Sequence, residues 1–227
     1  MPREVTQLVY KYDELSKNAQ AKARDWWRES ASCDDFWSEY VIDEAVQVGN
    51  AMGFTFADWS VPTHGGGVHI KPRIYWSGFY TQGSGACFEA TWRASDVKPG
   101  GVKALGWGPC EDTTRIHDIA ADFEALAAEH PTLVFKTKHR DRYYHSNSVD
   151  FEFWETRKSD SDTGEELDEY DWVEDDVESL CKGNARAFMD YIYDMLKKSY
   201  EDYVSDETVA DTIIANEYEF DEDGCVM

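Results

Sequence analysis

Residues 81–92 read TQGSGACFEATW. Gln82 and Cys87 stand five residues apart, with Gly83, Ser84, Gly85 and Ala86 between them. Two readings compete. In one, a helix begins at Cys87, and the two side chains are an oxyanion donor and a nucleophile. In the other, the glycines form the tight turn of a β-hairpin, and Cys87 is a small hydrophobe on the following strand. Phe88, Thr91 and Trp92 favour a strand. The expected structure is therefore the hairpin, and an antiparallel sheet follows from it.

Working outward, FTFADWS (54–60), VHIKPRIYWSGFY (68–80) and ACFEATWRAS (86–95) are rich in β-branched and aromatic residues and separated by glycines. TLVFKTKHR (132–140) and VDFEFWETR (149–157) alternate as a second hairpin, with HSNS in its turn. Helical spacing surrounds these strands. Ser16 caps a helix to about Ser30, and a second runs from the acidic pair Asp34–Asp35 to Met52, before Gly53. A third spans Thr113 to Glu129, ahead of Pro131. Ala185, Phe188, Met189, Ile192, Met195, Leu196 and Tyr203 predict a long helix ending near Val204. Ser205 caps a shorter one to Ala215, and EYEF (217–220) adds an edge strand. The expected class is α+β, a small antiparallel β-sheet flanked by helices with an acidic helical C-terminal region. The expected domains are an α+β core over 1–158 and an acidic, mainly helical region over 159–227 packed on it.

Charge is the strongest compositional signal. The chain has 46 acids against 22 bases, a net of −24, yet 42% of its residues are hydrophobic and nine are tryptophan. Such a chain can build a core, so general disorder is excluded. Residues 159–227 hold 23 of the acids and only 4 bases. That third cannot bind nucleic acid through phosphates, which requires clustered Lys and Arg. No apolar run approaches the roughly 18 residues of a membrane span. The start MPREVTQLVY lacks the pattern of a secretory signal, and the five cysteines contain no CxxC pair. These features predict reduced thiols and a cytoplasmic location.

GACF at 85–88 mimics the neighbourhood of a papain-type cysteine, with His130, His139 or His145 as candidate bases; this alternative is a cysteine-dependent hydrolase or transferase using Cys87 and Gln82. Its spacing from Gln82 is one residue short, and its nucleophile should head a helix. HGGG (64–67) lacks a partner GxSxG. His64 and His69 lack a second ligand pair for zinc. The acids at 160–171 and 219–224 miss the closing ligand of a calcium loop. Neither a metal nor another cofactor is expected. A pocket at Lys71, Arg73 and Arg93 holding a small signalling nucleotide is a further alternative.

The acids of the last third offer a working surface. Asp190 and Asp194 are one helical turn apart, with Glu201 two turns further on the same side. Glu174, Asp175, Asp176 and Glu178 extend the negative field at the helix start. Carboxylates so spaced on a rigid rod present charge as a phosphate backbone does, and suit a basic nucleic-acid-binding groove on a partner. These seven acids are the expected partner-binding residues; no catalytic residues are assigned.

Three stretches, YDELSKNAQAKARDWW (12–27), YWSGFYTQGSGACFEA (75–90) and DETVADTIIANEYEFDEDG (206–224), resemble in this order a family of phage and prophage proteins. Members often carry the label of antitoxins from toxin–antitoxin stability systems. The resemblance implies a phage gene expressed in a bacterial cytoplasm, and supplies no catalytic residues. The expected function is a non-catalytic inhibitor that binds a basic host toxin or a restriction or CRISPR complex, by mimicking nucleic acid. The expected partner is therefore a basic host or defence-system protein, with neither nucleic acid nor membrane bound directly.

Overall fold

A computed structural model describes residues 7–31, 36–63, 65–105, 113–140, 142–157, 167–169 and 173–227. The fold is α+β. The chain divides into two compact units, Met1–Glu39 with Lys198–Met227, and Tyr40–Lys197. This differs from the expected boundary at 158. The chain's two ends share a unit, and the division falls inside two helices.

In the larger unit, α2 (Phe36–Ala51) leads through Gly53, whose φ of +94° favours glycine, into β1 (Phe54–Phe56). The expected strands at 54–60, 68–80 and 86–95 each prove to be two short strands. These are β1 and β2 (Asp58–Pro62), β3 (Val68–Pro72) and β4 (Ile74–Ser77), and β5 (Gly85–Phe88) and β6 (Ala90–Arg93). The breaks fall at single residues, Ala57, Arg73 and Glu89, where each segment changes partner. β1 pairs with β6, β2 with β3, and β4 with β5, all antiparallel.

The three break residues close a ring of backbone hydrogen bonds. Arg73 N–H donates to Ala57 C=O (2.7 Å), Glu89 N–H to Arg73 C=O (2.9 Å), and Ala57 N–H to Glu89 C=O (2.9 Å). The polar groups freed by leaving one ladder are thus satisfied at the junction. The buried Thr137 hydroxyl steadies the bend. It accepts from Ala90 N–H at 2.9 Å and lies 3.0 Å from Phe88 C=O as donor.

β7 (Leu133–His139) and β8 (Val149–Arg157) form the expected hairpin and complete a five-stranded sheet in the order β1-β6-β7-β8-β9. β9 (Leu167–Glu169) lies within the acidic region expected to be mainly helical, and pairs with β8. Residues 158–166 and 170–172 of that stretch, and the helix start at Asp34–Asp35, lie outside the described residues.

The core is aromatic. Phe54 meets Phe123, Phe88, Phe188 and Phe135 with ring centroids 5.1–5.9 Å apart. Trp92 stacks on Phe135, and its indole N–H donates to Met52 C=O at 2.7 Å. Full burial of each such side chain stabilises by about 1.5–3 kcal/mol. The turn of helix α3 (Gly101–Ala104) leads toward α4 (Thr113–Glu129), which contributes Ile116, Ile119, Phe123 and Leu126. α5 (Asp175–Tyr203) contributes Cys181, Phe188, Met189 and Leu196.

The terminal unit joins α1 (Lys17–Ala31) to α6 (Asp206–Ala215) around Tyr12, Leu15, Ala23, Trp27, Val209, Ile213 and Phe220. Both expected caps are present, with Ser16 Oγ accepting from Ala19 N–H and Ser205 Oγ from Thr208 N–H. Tyr10 and Phe220 exchange two backbone hydrogen bonds. The expected strand at 217–220 is reduced to that bridge and one to Val226.

Candidate functional site

Gln82 and Cys87 do not form a site. The β4–β5 loop turns at Thr81–Ser84, with their hydroxyls 2.7 Å apart and Gly83 at φ +88°. Gln82 is exposed at its tip, whereas Cys87 is fully buried on β5. Burial, and secondarily the charge of Glu89, pushes the Cys87 thiol up to about 12. It is therefore protonated at neutral pH, the opposite of an activated nucleophile. The histidines have local contacts. His139 packs beside the stacked rings of Tyr75 and Tyr144, at 5.2 Å from each. His145 Nδ1 accepts from Asn147 N–H, and His130 N–H donates to Leu126 C=O at the end of α4.

The glycines of the opening stretch instead allow a close approach of two loops. A Cβ on Gly85 would lie 3.0 Å from His145 Cα and from Tyr144 C=O, and one on Gly83 3.2 Å from the Tyr143 ring. Lys71, Arg73 and Arg93 are not gathered into a pocket either. Arg73 is paired with Glu89 at 2.6 Å, while Lys71 lies on β3 and Arg93 on β6, strands that do not pair with each other. Among the described residues, no group of three or more His, Cys, Asp and Glu is placed to hold a metal ion. In the 219–224 stretch, the Asp221 carboxylate already accepts from Asp223 and Cys225 N–H.

A small, partly open cavity lies between α2 and α5, lined by Val41, Glu44, Ala45, Val48, Tyr191, Ile192 and Met195. At about 10 Å³ it has room for about one water. Glu44, 7% exposed, has one carboxylate oxygen without a hydrogen-bond partner. Burial raises its pKa, opposed by the hydrogen bond from Tyr40.

Six of the seven expected acids are exposed and Glu178 is half-buried. Glu174, Asp175, Asp176 and Glu178 crowd the start of α5, where negative charge also complements the helix dipole. Asp190 and Asp194 stand one turn apart further along. Glu201 lies in the last turns, which belong to the terminal unit. The acids are not one continuous stripe. Leu180, Gly183 and Ala187 occupy the intervening positions on that side, so Asp176 and Asp190 are separated by about 21 Å. Bases also answer some of the charge. Lys182 pairs with Glu178 at 2.6 Å, and Arg115 of α4 with Asp194. Each such solvent-accessible pair contributes roughly 0–1 kcal/mol.

A second surface has the opposite character. Residues 59–88, between Asp58 and Glu89, contain no acid at all in a chain with 46. In the structure this stretch forms the β2–β3 and β4–β5 hairpins, with Trp59, Val68, Ile70 and Tyr80 exposed. Trp59 lies edge-on to Tyr75, which stacks on Tyr144. Counting acids by their absence is the sequence signal that finds this surface.

Fold and surfaces define an α+β protein with an acid-bearing helix and two β-hairpins whose residues 59–88 carry no acid. The chain belongs to the family described as Domain of unknown function (DUF8835), which matches residues 37–206, about three quarters of its length. No curated protein and no solved structure matches it. Among the described residues, no helix is long and apolar enough to cross a membrane.

Proposed function

We propose that this chain is a non-catalytic binding protein that occupies a basic, nucleic-acid-binding surface on another protein. The observation that carries the reading is the outward display of Asp175, Asp176, Asp190, Asp194 and Glu201 on α5, with Glu174 just before it, within a third of the chain that holds 23 acids and 4 bases. Two acidic patches about 21 Å apart suit a groove that contacts phosphates at separated points. The resemblance to phage and prophage proteins supports a target among host toxins or anti-phage defence complexes such as restriction or CRISPR effectors, reached in a bacterial cytoplasm. Inhibition would follow from occlusion, with electrostatic steering speeding association.

The test replaces Glu174, Asp175, Asp176, Glu178, Asp190, Asp194 and Glu201 by Gln or Asn together. The variant should fold, because these side chains lie outside the core, and should lose the partner that the wild type captures from an infected or toxin-bearing host at low salt. A variant that captures the same partner at low and at high salt overturns the proposal.

A further inference from the structure

The β2–β3 hairpin has two different faces. By register, Trp59, Val61, His69 and Lys71 lie on one, and Ser60, Pro62, Val68 and Ile70 on the other, with Asp58 and Pro72 at its far end. The first turns Trp59 toward Tyr75, while on the second Val68 is 62% and Ile70 55% exposed. A solvated two-stranded ribbon with apolar residues on an open face is marginal by itself. Among the described residues it pairs with no third strand.

The ladder's parity shows which edge is open to pairing. Thr63 N–H donates to Gly67 C=O at one end, and Arg73 N–H to Ala57 C=O at the other. The hydrogen-bonded pairs are therefore 59/71 and 61/69, and the amides of Ser60, Val68 and Ile70 point outward. The β2 edge is blunted by Pro62, which has no N–H. The β3 edge offers N–H and C=O groups at both Val68 and Ile70.

We propose that β3 pairs antiparallel with β3 of a second copy, forming a symmetric dimer about an axis at His69. Val68 and Ile70 of one copy then exchange hydrogen bonds with Ile70 and Val68 of the other, four bonds in all, and the apolar faces form one surface. Charge selects this occupant. Each copy carries −24, so like charge opposes contact between most pairs of surfaces. Residues 59–70 contain no Asp, Glu, Lys or Arg, so two such ribbons meet without like charges in contact. The pairing is self-complementary, as a two-fold interface requires. This inference stands apart from the proposed acidic partner surface, which lies on α5.

The experiment is sedimentation equilibrium on the full chain at low and high salt, with two variants. The wild type should be dimeric and associate more tightly as salt screens the −24 copies from each other. Val68→Asp with Ile70→Asp should weaken association by about 100-fold or more through like-charge contact, with an unchanged circular dichroism spectrum. His69→Cys, made in a Cys225→Ser background, should form a disulfide between copies under mild oxidation, because the pair on the axis is of the closely spaced kind. A chain that is monomeric at both salts overturns the proposal. So does a dimer that survives the double aspartate change, weakens with salt, or gives no disulfide in the His69→Cys variant.

Discussion

Arg73 and Glu89 are joined twice: their side chains meet at 2.6 Å, and the Glu89 amide donates to the Arg73 carbonyl at 2.9 Å. The pair thus locks the point at which the β1–β6, β2–β3 and β4–β5 pairs exchange strands. Its members differ in burial, the Arg73 side chain being 40% exposed and that of Glu89 15%. Glu89 also accepts from His139 N–H at 3.3 Å. Losing the arginine strands a largely buried carboxylate, whereas losing the carboxylate leaves an arginine that water can reach. Arg73→Ala should therefore lower the melting temperature by about 2–4 °C, and Glu89→Gln by less than half of that. Thermal melts of both variants check the order, and the reverse order would contradict the junction's description.

Glycine at position 85 is required by packing. Gly85→Ala should destabilise by about 1–3 kcal/mol, because the new methyl meets the backbone of Tyr144 and His145. Gly65→Ala, with nothing within 4 Å of the added Cβ, should stay within about 0.5 kcal/mol of wild type. Denaturant unfolding of the two variants separates a packing glycine from a solvated one.

The thiols divide by burial. Cys87 and Cys181 are fully buried, and burial is the main cause holding both thiols up at about 12, while Cys225 is exposed. In native protein at neutral pH, Cys225 should be alkylated about 1,000-fold faster than Cys87 or Cys181, which should react only on unfolding. Mass spectrometry of labelled peptides reads this directly. Fast labelling of Cys87 would reopen a nucleophilic role.

Glu44 gives the fold a pH dependence. Its folded pKa is raised, chiefly by burial, above that of the unfolded chain. The native state then binds more protons than the unfolded one, so this group's contribution is fully present below the unfolded carboxylate range. It is lost as pH rises through the folded pKa. Glu44→Gln should raise stability relative to wild type at neutral pH and change it little in acid below the carboxylate range. Melts across pH check this, and a difference that does not vary with pH would contradict it.

Much of the fold is legible in the sequence wherever structure is local. The caps at Ser16 and Ser205, the stop at Gly53, α4 before Pro131, and the β7–β8 hairpin all follow from neighbouring residues. The partner change at Ala57, Arg73 and Glu89 is not legible, because its hydrogen bonds join residues 16 and 32 positions apart and leave the strand period undisturbed. The two-unit division escapes for the same reason, since Tyr10 meets Phe220 across the whole chain. The acids of the candidate surface are visible in sequence, but the neutralisation of Asp194 by Arg115, 79 residues away, is not. The acid-free stretch at 59–88 is visible as a gap between Asp58 and Glu89, and its meaning emerges only once Val68 and Ile70 are seen in solvent.

In the proposed function, α5 stands in for nucleic acid on a basic partner. The most direct measurement is competition on the captured complex, with nucleic acid and salt each titrated against immobilised wild-type chain. Both should release the partner, and the variant neutralised at the seven acids should never hold it. A partner that stays bound through excess nucleic acid and high salt, and binds the neutralised variant equally, would contradict it.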